Sequence, residues 1–167
     1  GMNPDMMVRC IGRVNLPLLE KFLARISRLT VEAKNVRMTT PAGGDVTFKN
    51  IPDQTPRYAL GYADKPGIYM LGGQIGWRID LESLDGKIVY DGSVNPPLGL
   101  LKEPIKLTVE KGDIVKIEGG AEAAEFEAWL RSFNDPNMLK MAHVCYGFNP
   151  GAKLTGDVVE DERVWGC

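Results

Sequence analysis

The sequence predicts an α+β fold in which a mostly antiparallel sheet is the main element and helices flank it. Two observations carry this prediction. Apolar residues recur at helical spacing in two separate segments, and between these segments they alternate with polar residues, as they do in strands. Strands grouped together along the chain, with helices before and after them, are typical of the α+β class. The chain has 167 residues, which is enough for one domain with a hydrophobic core.

The first helix is predicted within residues 15–34. Asn15 can cap its amino-terminal end, and Pro17 suits the first turn. The apolar residues that follow are spaced three or four apart: Leu19, Phe22, Leu23, Ile26, Leu29 and Ala33. This spacing places them on one face and predicts a helix that covers a sheet.

A β-rich part is predicted over residues 35–118. Its clearest element is a hairpin at residues 105–117, where apolar and charged residues alternate on both sides of a Lys-Gly-Asp turn. Residues 36–40 alternate in the same way, and residues 46–48 return as their partner strand. These segments predict antiparallel neighbours joined by short turns.

Further strands are predicted near the middle of the chain. Residues 68–71 form a short apolar run that predicts a buried strand. Strands are also expected at residues 75–81 and 86–94, with Asp85-Gly86 as the turn of a hairpin between them. The paired glycines Gly72 and Gly73 permit a close approach of the backbone to a ligand or to another strand; the alternative is a bulge or tight turn.

Residues 119–167 are predicted to hold a helix followed by a loop. The helix has an aromatic face formed by Phe126, Trp129, Leu130 and Phe133. Glycine and proline shape a loop at residues 146–151, and the early carboxylates of residues 157–163 suit the positive end of another helix. We therefore expect one domain over residues 1–167.

Composition excludes several classes of function. The net charge is -2 and the basic residues are scattered, which argues against a nucleic-acid partner. No apolar run approaches the ~18 residues of a membrane span, so no membrane partner is expected. The three cysteines form no C-x-x-C pair, which favours a reducing, cytoplasmic location over a disulfide framework.

His143 is the only histidine of the chain. It follows an apolar segment and precedes both the 146–151 loop and a cluster of four acidic residues: Asp157, Glu160, Asp161 and Glu162. Imidazole and carboxylate together are usual ligands of iron, manganese and zinc. The alternatives are a structural histidine, and an acidic cluster that is simply the solvated start of a helix. Cys145, on the same face of an extended segment as His143, is either a further ligand or an inert thiol.

Several short motifs occur in order along the chain. They lie at residues 89–93, 98–104, 119–123, 135–137, 147–156 and 160–166. Together they resemble the aminopeptidase T type of metallopeptidase and the related 2,5-dihydroxypyridine 5,6-dioxygenases, from about residue 30 to the last residue. The resemblance implies the middle and carboxy-terminal part of a larger aminopeptidase T-like fold. It therefore implies an incomplete domain that is truncated at Cys167, and a homodimer.

The dioxygenase resemblance implies one ferrous ion held by two histidines and one carboxylate. His143 matches the first histidine, and the remaining metal ligands are expected beyond Cys167. Gln74, Tyr146 and Gly73 are the candidates for lining a pocket. The implied function is that of a non-haem iron, ring-cleaving dioxygenase acting on a small, dihydroxylated, pyridine-like substrate. This chain is expected to be inactive by itself.

Two alternatives remain open. An aminopeptidase-like hydrolase would use Zn²⁺ or another divalent metal in a two-metal site, with carboxylates at the positions of Gln74 and His143. Neither position holds a carboxylate, which counts against this alternative. The other alternative is a non-catalytic relative that keeps the scaffold as a binding or assembly module.

Overall fold

The structure is a computed structural model that describes residues 2–167. Its α-helices are α1 (Pro4–Met7), α2 (Leu16–Glu32), α3 (Ala121–Ser132) and α4 (Val158–Asp161), with a π-helical turn at Val8–Gly12 and a 3₁₀ turn at Pro136–Leu139. Its strands are β1 (Asn35–Thr39), β2 (Asp45–Asn50), β3 (Tyr58–Ala59), β4 (Gln74–Trp77), β5 (Ile79–Tyr90), β6 (Ser93–Val94), β7 (Gly99–Leu100), β8 (Ile105–Glu110), β9 (Asp113–Glu118) and β10 (Val144–Gly147). The named strands pair antiparallel throughout, which confirms the predicted α+β fold class.

The chain divides into two compact units. The first comprises the chain up to Ala33, Asp53–Trp77 and Val144–Cys167, and the second comprises Lys34–Pro52 and Arg78–His143. Each unit has its own sheet and its own buried side chains. The expectation of one incomplete domain over residues 1–167 stays a prediction.

The second unit is built on a five-stranded sheet with the order β1-β2-β5-β8-β9. The predicted hairpin at residues 105–117 is confirmed as the β8–β9 pair, and the strands predicted at residues 36–40 and 46–48 are confirmed as β1 and β2. Every second residue of β8 is buried, as a sheet with one covered face requires. Helix α3 contributes Phe126 and Leu130 to the core of this unit.

The hairpin predicted at Asp85-Gly86 is wrong. Strand β5 runs without a turn from Ile79 to Tyr90, and Gly86 lies within it opposite Val46. Gly86 has a φ of 129°, and a Cβ at this position would clash with the carbonyl oxygen of Asp45. Glycine at this position therefore allows β2 and β5 to approach each other closely. A glycine needed for close packing and a glycine needed for a turn look the same in the sequence.

The buried strand predicted at residues 68–71 is also wrong. This segment has no strand pairing, and the side chain of Ile68 is 99% exposed. Only Leu71 is buried. A short apolar run without alternation contains no period, so it cannot distinguish a strand from an irregular segment that buries a single residue.

The first unit combines α2 with a three-stranded sheet of the order β10-β4-β3. The predicted cap is confirmed, because the side chain of Asn15 accepts a hydrogen bond from the Leu18 amide at 3.1 Å. The buried residues of α2 are Leu19, Leu23, Ser27 and Thr30. Leu29 was expected on the covered face but is exposed, because at about 100° per residue it lies to one side of the face that these four residues share. No helix within residues 2–167 has the length and apolar character needed to cross a bilayer.

Candidate functional site

The candidate site lies in the first unit, where β10 pairs antiparallel with β4. Cys145 lies opposite Gly76, and Gly147 lies opposite Gln74. Residues that lie opposite each other in a sheet share a face, so these four residues belong to one face. The other face carries Ile75, Trp77 and Tyr146. The sheet therefore separates a polar, glycine-rich face from an aromatic one.

The aromatic face belongs to the packing between the sheet and α2. The ring of Tyr146 lies 4.5 Å from that of Trp77 and 5.7 Å from that of Phe148. Phe22 of α2 contacts Phe148 and Trp165, with ring centroids 5.2 Å apart in both pairs. Burial raises the pKa of the Tyr146 hydroxyl. The structure thus places Tyr146 on the face opposite Gln74, and its role as a pocket residue stays a prediction.

Gln74 is held in one orientation by two charged neighbours. Its Oε1 accepts a hydrogen bond from Nη2 of Arg163 at 3.2 Å, and its Nε2 donates one to Oε2 of Glu162 at 2.9 Å. A guanidinium only donates and an ionised carboxylate only accepts, so the orientation of the amide is unambiguous. Burial raises the pKa of the Cys145 thiol, and a hydrogen bond with the Gln74 side chain offsets part of this rise.

Arg163 is the anchor of this polar cluster. Its side chain is buried, and its Nε donates to the carbonyl oxygen of Leu71 at 3.0 Å. Its Nη1 donates to the carbonyl oxygen of Val159 at 3.0 Å and to Oε2 of Glu162 at 3.1 Å. With Nη2 on Gln74, the guanidinium is fixed by both backbone and side chains. The positions of Gln74 and Glu162 therefore follow from that of Arg163.

Gly73 brings two backbone segments close together. Its φ is 103°, and a Cβ at this position would lie 2.6 Å from Cβ of Asn149 and 2.8 Å from its backbone nitrogen. Its carbonyl oxygen accepts a hydrogen bond from the Phe148 amide at 2.6 Å. The structure therefore supports the close approach of another chain segment at Gly73. Its contact with a ligand stays a prediction.

Asn149 is a structural residue that the sequence analysis did not single out. Its side chain is completely buried. Nδ2 donates to the carbonyl oxygens of Cys10 and Gly72, each at 2.9 Å, and Oδ1 accepts from the Gly151 amide at 2.9 Å. The sequence Asn-Pro-Gly carries a usable signal, because asparagine commonly bonds the backbone two residues ahead in such turns.

The acidic cluster is partly internal, so its interpretation as the solvated start of a helix is wrong for Glu160 and Asp161. Both side chains are buried. Glu160 accepts two hydrogen bonds from Nη2 of Arg9, at 2.6 and 2.8 Å, and one from the Lys153 amide at 3.0 Å. Asp161 accepts from the amide of Thr155 at 2.7 Å and from the next amide at 3.0 Å. Their oxygens therefore hold the loop before α4 in place.

His143 is the last residue of the second unit and is exposed to solvent. Within residues 2–167, no group of three or more His, Cys, Asp and Glu side chains is arranged to hold a metal ion. A ferrous site of the two-histidine, one-carboxylate type needs three such ligands. The described residues therefore do not form a complete iron site by themselves, and His143 as a ligand stays a prediction.

Comparison with known proteins identifies the family. The family model described as NicX, 2,5-dihydroxypyridine 5,6-dioxygenase, matches residues 3–164. The chain belongs to this dioxygenase family. It is 31% identical over 145 residues to the 2,5-dihydroxypyridine 5,6-dioxygenase of Pseudomonas putida KT2440, an alignment that covers 83% of the chain. The chain spans 41% of the length of that relative.

Two solved structures share the fold of this dioxygenase family member. The 2,5-dihydroxypyridine dioxygenase of Pseudomonas putida KT2440 superposes with a TM-score of 0.79 at 24% identity, over 98% of this chain and 49% of that one. The aminopeptidase AmpT of Thermus thermophilus superposes with a TM-score of 0.59 at 14% identity, over 97% of this chain and 42% of that one. Both likenesses concern the fold. The family match and the 31% identical relative confirm the resemblance to the dioxygenase family. The likeness to the aminopeptidase is one of architecture.

The buried thiol of Cys10 makes the stability of this dioxygenase family member sensitive to alkaline pH. Burial raises the pKa of the Cys10 thiol, and the neighbouring carboxylate of Glu160 raises it further. In the unfolded chain a thiol loses its proton near pH 8.5, whereas the folded one stays neutral to higher pH. The stability that Cys10 contributes is therefore complete below about pH 8.5 and is lost as the pH rises through the raised pKa.

We expect the free energy of unfolding to fall as the pH rises above about 8.5, and to fall less steeply in Cys10→Ala. Denaturant titrations at several pH values measure both slopes. Cys167→Ala is the matched control, because it removes an exposed thiol and should keep the wild-type slope. Equal slopes in Cys10→Ala and the wild type would contradict this account.

Proposed function

We propose that this chain is part of a ring-cleaving dioxygenase that opens a small, dihydroxylated, pyridine-like ring with dioxygen. The observation that carries the proposal is the family match over residues 3–164, which includes almost the whole chain. The relative at 31% identity bears the name of an enzyme that acts on 2,5-dihydroxypyridine. The net charge of -2 agrees with a small-molecule substrate rather than nucleic acid.

The proposal includes one ferrous ion, with His143 as one of its ligands and the remaining ligands on residues beyond Cys167. When bound, such an ion supplies the electron transfer that ring opening with dioxygen requires. The exposed imidazole of His143 is accessible to an ion in solvent. We also propose that the active protein is a homodimer. Zn²⁺ or another divalent metal is the alternative cofactor, and the aminopeptidase-like alternative rests on likeness of fold.

One ligand holds a divalent metal weakly, so the isolated chain should bind Fe²⁺ with low affinity and should not consume oxygen. The single histidine makes this measurable by NMR, because the imidazole signals of His143 have no overlap with those of another histidine. Under anaerobic conditions, Fe²⁺ should broaden these signals before those of other residues. The broadening should be slight, because the affinity is low. Lys140→Ala, which removes an exposed side chain nearby, is the control and should leave the broadening unchanged.

Two outcomes would contradict the proposal that this chain supplies only one ligand of the metal site. If Fe²⁺ broadens the signals of other residues while the imidazole signals of His143 stay sharp, His143 is not a ligand. Stoichiometric binding, or oxygen uptake with 2,5-dihydroxypyridine by the isolated chain, would mean that the chain completes a site without further residues.

A chimera tests the proposed reaction itself. In this chimera, residues 3–164 replace the aligned segment of the Pseudomonas putida relative, which supplies the rest of a dioxygenase. We expect oxygen uptake and ring opening with 2,5-dihydroxypyridine and Fe²⁺, and loss of both in the His143→Ala version. Lys140→Ala in the same chimera should keep them. A chimera that is folded by circular dichroism but does not turn over the ring would contradict the proposal.

A further inference from the structure

Glu162 differs from its acidic neighbours in what its carboxylate contacts. Glu160 and Asp161 are buried, and both use their oxygens on amides of the preceding loop. The side chain of Glu162 is 37% exposed. Its Oε2 accepts hydrogen bonds from Gln74 and Arg163, whereas no hydrogen bond to its Oε1 is found within residues 2–167. One oxygen is thus held by the protein and the other is available.

The carboxylate of Glu162 is also preorganised. Both donors to its Oε2 are themselves fixed, because Arg163 is buried and bonds the carbonyl oxygens of Leu71 and Val159. The amide of Gln74 is oriented by Arg163 at its other end. A ligand that bonds Oε1 would therefore find an acceptor whose position has already been set, which lowers the entropy cost of binding.

The sheet face that carries Gln74 is open beside Gly76. Gly76 lies two residues along the same face, and a Cβ built on it would meet no atom within 4 Å. The half-buried thiol of Cys145 borders this face. An open, glycine-lined stretch of sheet beside a charged hydrogen-bond acceptor suits an aromatic ring that carries a hydroxyl group.

We propose that Oε1 of Glu162 accepts a hydrogen bond from a hydroxyl group of the substrate ring, and that Arg163 and Gln74 position the carboxylate for this contact. The inference rests on the proposed function, which names a dihydroxylated ring as the substrate class. An ionised carboxylate only accepts hydrogen bonds, so Glu162 selects rings that carry a donor. Glu162 is thereby a specificity-determining residue, and Arg163 is a positioning residue.

The test uses the 167-residue chain without iron and without oxygen, so that binding is measured apart from turnover. Two probes with the same ring are titrated: 2,5-dihydroxypyridine and pyridine, which lacks both hydroxyl groups. NMR shifts of the Gln74 side-chain amide and the Gly76 backbone amide report the affinity. Glu162→Gln keeps the size of the side chain and removes its charge. Glu125→Gln makes the same change at an exposed position of α3.

We expect Glu162→Gln to weaken the binding of 2,5-dihydroxypyridine about tenfold, since hydrogen bonds to charged groups are stronger than neutral ones. Glu125→Gln should bind like the wild type, and pyridine should bind weakly and equally to all three proteins. Glu162→Asp, which keeps the charge but shortens the side chain, should also weaken binding of the dihydroxylated ring. Thermal unfolding of each variant shows that the comparison is made between folded proteins.

The inference is overturned if Glu162→Gln binds the dihydroxylated ring as the wild type does, or if the wild type binds it no better than pyridine. Failure of the proposed function is a different result, because it appears as a folded chimera without turnover. If the chimera and its Glu162→Gln version open the ring equally well, the role of Glu162 is refuted and the dioxygenase proposal is unaffected.

Discussion

The variant Asn149→Asp should lose about 4 kcal/mol of its free energy of unfolding, because two buried carbonyl groups lose their donor. In the wild type, Nδ2 of Asn149 donates to the carbonyl oxygens of Cys10 and Gly72. Aspartate has the same shape but presents an oxygen at that position. Three oxygens would then face one another in a site that is closed to water, and the aspartate would have to be protonated or displaced.

Thermal or urea unfolding of Asn149→Asp measures this loss, and a fall of the melting temperature by about 10 °C or more is expected. Asn137→Asp is the matched control, because it makes the same chemical change at an exposed position and should shift the melting temperature very little. Similar melting temperatures for the two variants would show that the hydrogen bonds of Asn149 contribute little to stability.

The second large effect is expected for Glu160→Ala, at about 3 kcal/mol. Its carboxylate is completely buried, and its removal leaves the guanidinium of Arg9 and the Lys153 amide without their acceptor. The side chain of Arg9 is 23% exposed, so water can solvate part of the orphaned charge. The expected cost is therefore at the lower end of the range for a broken buried ion pair.

Urea unfolding compares Glu160→Ala with Glu125→Ala, which removes an exposed glutamate from α3. The control should lie within about 0.5 kcal/mol of the wild type. A second variant, Arg9→Met, tests the other partner of the ion pair. It leaves the carboxylate of Glu160 buried without its cation, so it should also be strongly destabilised. Wild-type stability in both Glu160→Ala and Arg9→Met would contradict a stabilising role for this ion pair.

The elements that the sequence predicted correctly are those with long, regular patterns. The hairpin of β8 and β9 and the helices α2 and α3 each repeat one period over many residues, so the pattern exceeds the noise of single positions. The cap at Asn15 was also predictable, since its side-chain oxygen satisfies an amide that no helix can satisfy internally. Local rules determine these features, and local rules can be applied to a sequence.

The errors arose where one sequence signal has two structural causes. Asp85-Gly86 has the composition of a turn, yet Gly86 lies within a continuous strand because a neighbouring strand approaches it closely. Residues 68–71 are apolar like a buried strand, yet Ile68 is exposed. In both cases the decision depends on a segment that is distant in the sequence, and no local pattern contains that information.

The candidate site shows the same limit. His143 could be selected as the single histidine, and Gln74 was selected through the family resemblance. Nothing near Gln74 in the sequence indicates that Arg163 and Glu162 hold its amide. Burial of Glu160 was likewise invisible, because its partner Arg9 lies 151 residues away along the chain. A run of acidic residues suggests solvent exposure unless the partner cation is known.

The separation between Arg9 and Glu160 has a consequence for the order of assembly. The first unit is made of three stretches of chain, whereas most of the second unit is the single stretch Arg78–His143, with strands paired to near neighbours. Closing a long loop costs entropy before any contact compensates for it, so distant pairs form late. On the ribosome, the hairpins of the second unit can form while Arg9 still has no partner. The polar cluster around Gln74 is then completed only after Glu162 and Arg163 have been synthesised, so this face of the sheet is among the last parts of the molecule to mature.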